Sequence, residues 1–165
     1  LYYWNSINSS NKRIMEDKNI DEVWTFDKKD SLQYNLKYNP QFYTYNIKLP
    51  KRDLKYDILF LGRDKGRKES IQEWKTLFEQ NNLKVNLCII ENEKDYIPYP
   101  KYLTMLSESK TILDFVAPGQ SGLTLRTMES LFLEKKLITN NQDIKNYDFY
   151  FLLFFKKCHF PKRTI

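Results

Sequence analysis

Residues 56–63 read Tyr-Asp-Ile-Leu-Phe-Leu-Gly-Arg, in which Ile58-Leu59-Phe60-Leu61 is an unbroken apolar run that stops at a glycine. Continuous hydrophobicity, as opposed to strict alternation, predicts a strand buried on both faces, and such strands belong to parallel sheets with helices packed on either side. A glycine at the strand end marks the turn by which an α/β unit enters its helix. The same rhythm recurs along the chain. Strands are expected near 1–4, 22–26, 57–61, 84–90, 111–115 and 136–139, and helices near 11–18, 28–34, 68–81, 99–108 and 122–133. Run lengths of this kind suit βα units better than hairpins, so the expected fold class is α/β, a parallel sheet flanked by helices.

With 165 residues the chain can bury one complete domain and part of a second, not two full ones. Residues 44–56 show neither clear periodicity nor an apolar face and read as a linker. That division makes 57–150 the main domain and 1–43 the end of a preceding one. The chain opens on Leu1-Tyr2-Tyr3-Trp4, as though a strand were already under way, so upstream sequence is expected. Residues 151–165 break the pattern: Phe151-Leu152-Leu153-Phe154-Phe155 runs straight into Lys156-Lys157-Cys158-His159 with no amphipathic period. Five apolar residues bury too little to anchor a chain at a membrane surface, and an aberrant or out-of-frame tail is the favoured reading.

The formal net charge is +6, yet Lys156, Lys157, Lys162 and Arg163 carry most of it inside that tail. The body is close to balanced, which argues against a dedicated nucleic-acid binder, whose cations would line one face of the domain. Tyr and Lys interleave over residues 33–43, but Tyr34, Tyr38, Phe42 and Tyr43 read more simply as a packed domain edge with Asn39-Pro40 as a turn. The two cysteines have no metal or redox spacing, and Cys88 falls inside an apolar strand. No run reaches the length of a membrane span. A cytoplasmic protein is expected, at most peripherally associated with the membrane. His159, the one histidine, lies in the tail, so histidine-based acid–base or metal chemistry has no support. No metal site and no bound cofactor are expected.

Two segments carry candidate chemistry. Gly62-Arg63-Asp64-Lys65-Gly66-Arg67-Lys68 sits where a strand ends and a helix begins, the place where open α/β sheets bind ligands and where helix N-termini attract phosphate. Arg63, Lys65, Arg67 and Lys68 supply cations suited to a diphosphate, though a solvated basic turn has the same composition. The loop lacks a Gly-Lys-Ser/Thr ending, which excludes a phosphate-loop ATPase. The second segment, Ala117 to Phe132, passes from a strand through Pro118, Gly119 and Gly122 into a helix. Ser121 or Thr124 is placed to cap that helix, and its N–H groups would again face an anion. Leu125, Met128, Leu131 and Phe132 recur at helical spacing and are expected to be its buried stripe, with Arg126 and Glu129 beside it. A carboxylate there needs a partner, either a ribose diol or a nearby Arg or Lys. Asp21, Asp27 and Asp30 read as helix capping and solubility.

Taken together, Gly62-Arg63 with Lys65-Gly66 after a strand and Gly122 through Glu129 at a later helix start resemble the Rossmann-like C-terminal domain of two-domain GT-B glycosyltransferases. Trp4-Asn5, Asp21-Glu22-Val23-Trp24-Thr25-Phe26-Asp27, Tyr38-Asn39-Pro40-Gln41-Phe42-Tyr43 and Lys135 through Asn141 look like bacterial lipopolysaccharide or capsular polysaccharide biosynthesis proteins of that type. The resemblance spans roughly residues 1–150. It implies a nucleotide-diphosphate sugar as donor substrate, with Arg63 and Lys65 or Lys68 on the diphosphate. Gly122, Leu123 and Thr124 would approach the phosphates through their backbone, and Glu129 would hold the ribose. It also implies a glycan or lipid-linked acceptor bound mainly by the preceding domain, so this chain by itself would retain donor binding at most. Retaining relatives carry a Glu eight positions before the ribose-binding one. Here that position is Ser121. The alternatives are a non-catalytic nucleotide-binding or interaction module and an inactive gene product.

Overall fold

The computed structural model describes residues 1–117 and 120–150; the tail at 151–165 lies outside the described residues. The described strands form two sheets, both wholly parallel. Strands β1 (Tyr2–Tyr3), β2 (Trp24–Thr25) and β3 (Lys37–Tyr38) make the first, in the order β1-β2-β3, with Tyr2 opposite Trp24 and Trp24 opposite Lys37. Helix α1 (Lys28–Tyr34) crosses from β2 to β3 and ends on Asn35, whose φ of 52° is the left-handed cap that Asn tolerates. The second sheet contains β4 (Tyr56–Arg63), β5 (Val85–Ile90), β6 (Ser109–Asp114) and β7 (Lys136–Thr139) in the order β5-β4-β6-β7. Its strands are linked by α2 (Lys68–Gln80), α3 (Tyr99–Ser107) and α4 (Leu125–Phe132). The chain is thus α/β with helix-flanked parallel sheets, as the buried-strand patterns imply.

Because successive side chains leave a strand on opposite faces, β4 feeds two cores. Ile58 and Phe60 point to one side, where Leu113 of β6 and Ile71 of α2 complete a fully buried cluster backed by Trp74 and Phe78. Leu59 points to the other, against Ile112 and the α3 residues Tyr102 and Leu106. Each such aliphatic or aromatic side chain contributes about 1.5–3 kcal/mol on burial. That explains why the central strands run apolar without alternation. Cys88 on edge strand β5 is half-buried, and burial raises its thiol pKa.

Several expectations shift in detail. The helix expected at 11–18 is only a short 3-10 turn over Lys12–Glu16 with no buried residue; its one aliphatic, Ile14, is half exposed, so no apolar face holds a longer helix. Strand β3 was not expected, being two residues long inside an aromatic stretch. Residues 39–55, between β3 and β4, contain no helix or strand. They are nevertheless docked: Leu49 joins the α3-side core, and the rings of Tyr43 and Tyr45 lie 5.4 and 4.5 Å from that of Phe132.

Helix α4 is the main departure. It begins at Leu125, not 122, and its buried residues are Thr127, Glu129 and Ser130, whereas Leu125 is exposed and Met128, Leu131 and Phe132 are only half-buried. The polar side faces the sheet because the end of β6 presents Asp114, which is fully buried and accepts hydrogen bonds from Thr124 Oγ1 (2.8 Å) and Thr127 Oγ1 (3.3 Å). An unpaired buried carboxylate would cost several kcal/mol, and turning Thr124 and Thr127 inward avoids that cost. Phe132 is covered from outside by Tyr43 and Tyr45, and Met128 faces a cavity shared with Tyr147 and Phe149.

Candidate functional site

In the second sheet the chain leaves β4 for β5 on one side and returns to β6 on the other. The crevice beyond the carboxyl ends of β4 and β6 is therefore a topological switch point, where α/β sheets bind ligands. A cleft of about 680 Å³ opens there. Its second wall comes from the carboxyl ends of the first sheet, through Trp4 to Asn8 after β1, Phe26 after β2 and Gln41 after β3. Asp30 fixes part of this wall: its buried carboxylate accepts the backbone N–H of Ile7 at 2.7 Å.

Among the described residues four cations line the cleft, Arg63 at the end of β4, Lys65 and Arg67 after it and Arg126 on α4, and no carboxylate does. Arg67 and Arg126 bracket the buried ring of Phe60, their guanidinium carbons 5.4 and 5.1 Å from its centroid. Arg67 donates to the carbonyl oxygens of Phe115 and Arg63, joining the ends of β6 and β4, and Arg126 donates to that of Leu61. Asp114 stands 3.7 Å from Arg126 and, together with Asp64, offsets part of this charge. Arg67 is only 5% exposed, and its Nε has no hydrogen-bond partner among the described residues. Burial and the Arg126 charge pull its pKa down to about 10. Lys65 is lowered too, by burial and then by Arg67, Arg126 and Arg63. Its backbone sits at φ 49°, a left-handed conformation uncommon for lysine, followed by Gly66 at φ 73°. Such a concentration of positive charge is relieved by an anion.

The structure brings Arg63, Lys65, Arg67, Leu123 and Thr124 together in this cleft, and it places Lys68, Gly122 and Glu129 outside the lining. Lys68 pairs with Glu91 at 2.7 Å on the surface, because as the first residue of α2 it projects from the helix side. The turn at Gly122 does hold an anion, but the chain's own. Asp27 Oδ2 accepts the N–H groups of Gly122 (3.0 Å) and Ser121 (3.3 Å), and Oδ1 accepts Ser121 Oγ (2.6 Å). The same Oδ1 caps α1 through Lys29 N at 2.9 Å, so the expected capping role of Asp27 holds and a bridge between the sheets is added to it. Burial works to raise the Asp27 pKa, and these hydrogen bonds outweigh it and hold the carboxyl below its ordinary value. The close approach demands Gly122, since a Cβ there would run into the Phe26 ring and stand 3.2 Å from the Asp27 Cα.

Glu129 is 1% exposed and lies outside the cleft lining. Its partners are neither a cation nor open space for a diol, but two phenols: Tyr99 donates to Oε1 at 2.9 Å and Tyr102 to Oε2 at 2.7 Å. Tyr43 extends the chain to Tyr99 at 2.6 Å. Burial raises the Glu129 pKa against the lowering effect of these hydroxyls. Both phenols are held above their ordinary range, by burial first.

Gln41 belongs to the Tyr38–Tyr43 motif, but the sequence assigned it no role. It is buried, lines the cleft, and leaves its Oε1 with no hydrogen-bond partner among the described residues. Nothing in Asn-Pro-Gln-Phe distinguishes a buried amide from an exposed one. Among the described residues no cluster of three His, Cys, Asp or Glu is placed to hold a metal, and no helix is long and apolar enough to cross a membrane. Compared with family models, curated proteins and solved structures, the chain matches none of them.

Proposed function

We propose that this chain binds the diphosphate of a nucleotide sugar in the cleft between its sheets, as the donor-side part of a GT-B-type glycosyltransferase of bacterial surface-polysaccharide biosynthesis. The observation that supports it is the cluster of four cations, with no lining carboxylate among the described residues, at the switch point of the second sheet. Arg63 and Lys65 are exposed at the rim and reach the anion first. Arg67 supplies a third cation from beneath, and Leu123 and Thr124 bring backbone to the same edge. In a water-poor cleft, cations aimed at a departing diphosphate favour its release, the contribution a transferase needs from its donor side. Glu129 serves indirectly: its bonds to Tyr99 and Tyr102 hold α4, whose first turn rims the cleft. The acceptor would be a glycan or lipid-linked glycan at the inner face of the cytoplasmic membrane.

Calorimetric titration with UDP, GDP and CDP tests the reading. One of the three is expected to bind saturably, and Arg63→Ala to weaken it by about 1–3 kcal/mol, roughly 5- to 150-fold. A folded chain that binds none of them at millimolar concentration refutes the proposal.

A further inference from the structure

Gln41, whose side-chain oxygen has no partner among the described residues, belongs to the wall opposite the cations. Buried polar atoms are almost always paired, and one left without a partner is destabilising, so its retention beside a ligand cleft points to a donor arriving with the ligand. Two residues lining this cleft carry such an atom: Arg67, through its Nε donor, on the second sheet's side, and Gln41, through its Oε1 acceptor, on the first sheet's side. The matching ligand is anionic at one end and carries a hydrogen-bond donor at the other. The rest of that wall is uncharged, with Asn5, Ser6 and Asn8 as its polar side chains, and it is bordered by the half-exposed indole of Trp4 packed 4.9 Å from Phe42. A flat base would call for aromatic faces above and below. Amides, a hydroxyl and one apolar edge suit a polyhydroxylated ring.

We propose that Gln41 is a specificity-determining residue that accepts a hydrogen bond from a hydroxyl of the donor sugar, while the cations opposite hold the diphosphate. This rests on the donor-binding reading above. It assigns the first sheet a share in recognising the donor.

The test compares each nucleoside diphosphate with its sugar conjugates by calorimetry, using UDP with UDP-glucose, UDP-galactose and UDP-N-acetylglucosamine, and GDP with GDP-mannose. Gln41→Met keeps the length of the side chain and removes the oxygen. For the preferred conjugate it is expected to lower affinity about 3- to 10-fold while leaving the bare diphosphate unchanged. Gln41→Glu keeps an acceptor and is expected to retain the ratio between conjugate and diphosphate even if both bind differently. Equal loss for diphosphate and conjugate would place Gln41 on the nucleoside and overturn the inference, as would no loss for either. Failure of wild type to bind any diphosphate would instead remove the donor-site reading itself. Should Gln41→Met not fold, deoxy-sugar conjugates titrated against wild type replace it. One hydroxyl position is then expected to carry a loss of at least threefold, and a series with no sensitive position overturns the inference.

Discussion

Asp27 ties the two sheets together, and its replacement should reveal how much that tie contributes. Asp27→Ala removes the N-cap of α1, about 1 kcal/mol, and strands the buried N–H of Gly122, about 2 kcal/mol, and that of Ser121, about 1 kcal/mol for its longer bond. The expected loss is about 4 kcal/mol, a large share of the roughly 5–15 kcal/mol that holds a domain folded. With a urea slope near 2 kcal/mol/M the midpoint should fall by about 2 M. Asp27→Asn separates the two roles. Its oxygen can still cap α1, whereas its NH2 would face the Ser121 and Gly122 donors that Oδ2 now accepts, so it should lose about 3 of those 4 kcal/mol. Hydrogen exchange at the Ser121 and Gly122 amides should accelerate in both variants. If Asp27→Ala costs no more than the cap, about 1 kcal/mol, or if Asp27→Asn matches wild type, the bridge is not stabilising and the reasoning fails.

Gly122→Ala drives a methyl into the Phe26 ring and should destabilise by about 1–3 kcal/mol, measured by the same urea unfolding. Lys65→Asn relieves a left-handed lysine and should raise stability by up to about 1 kcal/mol, a urea midpoint up to about 0.5 M higher, while weakening diphosphate binding, a split that titration and unfolding on one sample will show. Two of the buried carboxylates, Asp27 and Glu129, should give opposite pH dependences. Asp27, held below its ordinary 3.8, contributes stability that is present above that value and lost as pH falls through the folded pKa; Asp27→Asn should flatten this acid limb. Glu129, held above its ordinary 4.5, contributes stability that is full below that value and lost as pH rises through the folded pKa, so Glu129→Gln should flatten the decline on that side. Urea midpoints measured across pH 2–8 check both, at roughly half-unit spacing.

The central sheet was legible because its strands and helices carry their own signals. Ile58 through Leu61 announce a strand buried on both faces, and α2 has an apolar side that meets it. Strands of two residues, such as β3, offer too short a pattern to read. The orientation of α4 was hidden for a different reason: it is set by Asp114, a single buried acid on another element, which outweighs the helix's own periodicity. The cations after β4 were visible as a group, but composition does not show which of them fold inward. Lys68 turned to Glu91, while Arg67 became the buried member. Asp27 looked like a cap and is one, yet its second set of bonds joins residues 94 and 95 positions apart, a relation no local pattern encodes. Gln41 carried no signal at all.

Five strands, β1, β2, β3, β4 and β6, deliver their carboxyl ends to a single cleft, while the apolar clusters of the second sheet lie behind it. The division frees the rim from the demands of folding. Loop residues such as Asn5, Ser6, Asn8 and Gln120 can be exchanged, or the loops lengthened, without disturbing Ile58, Phe60 or Leu106. A scaffold arranged this way can drift rapidly in what it recognises while its fold stays fixed, so descendants of one ancestral chain would diverge first along this edge and last along β4.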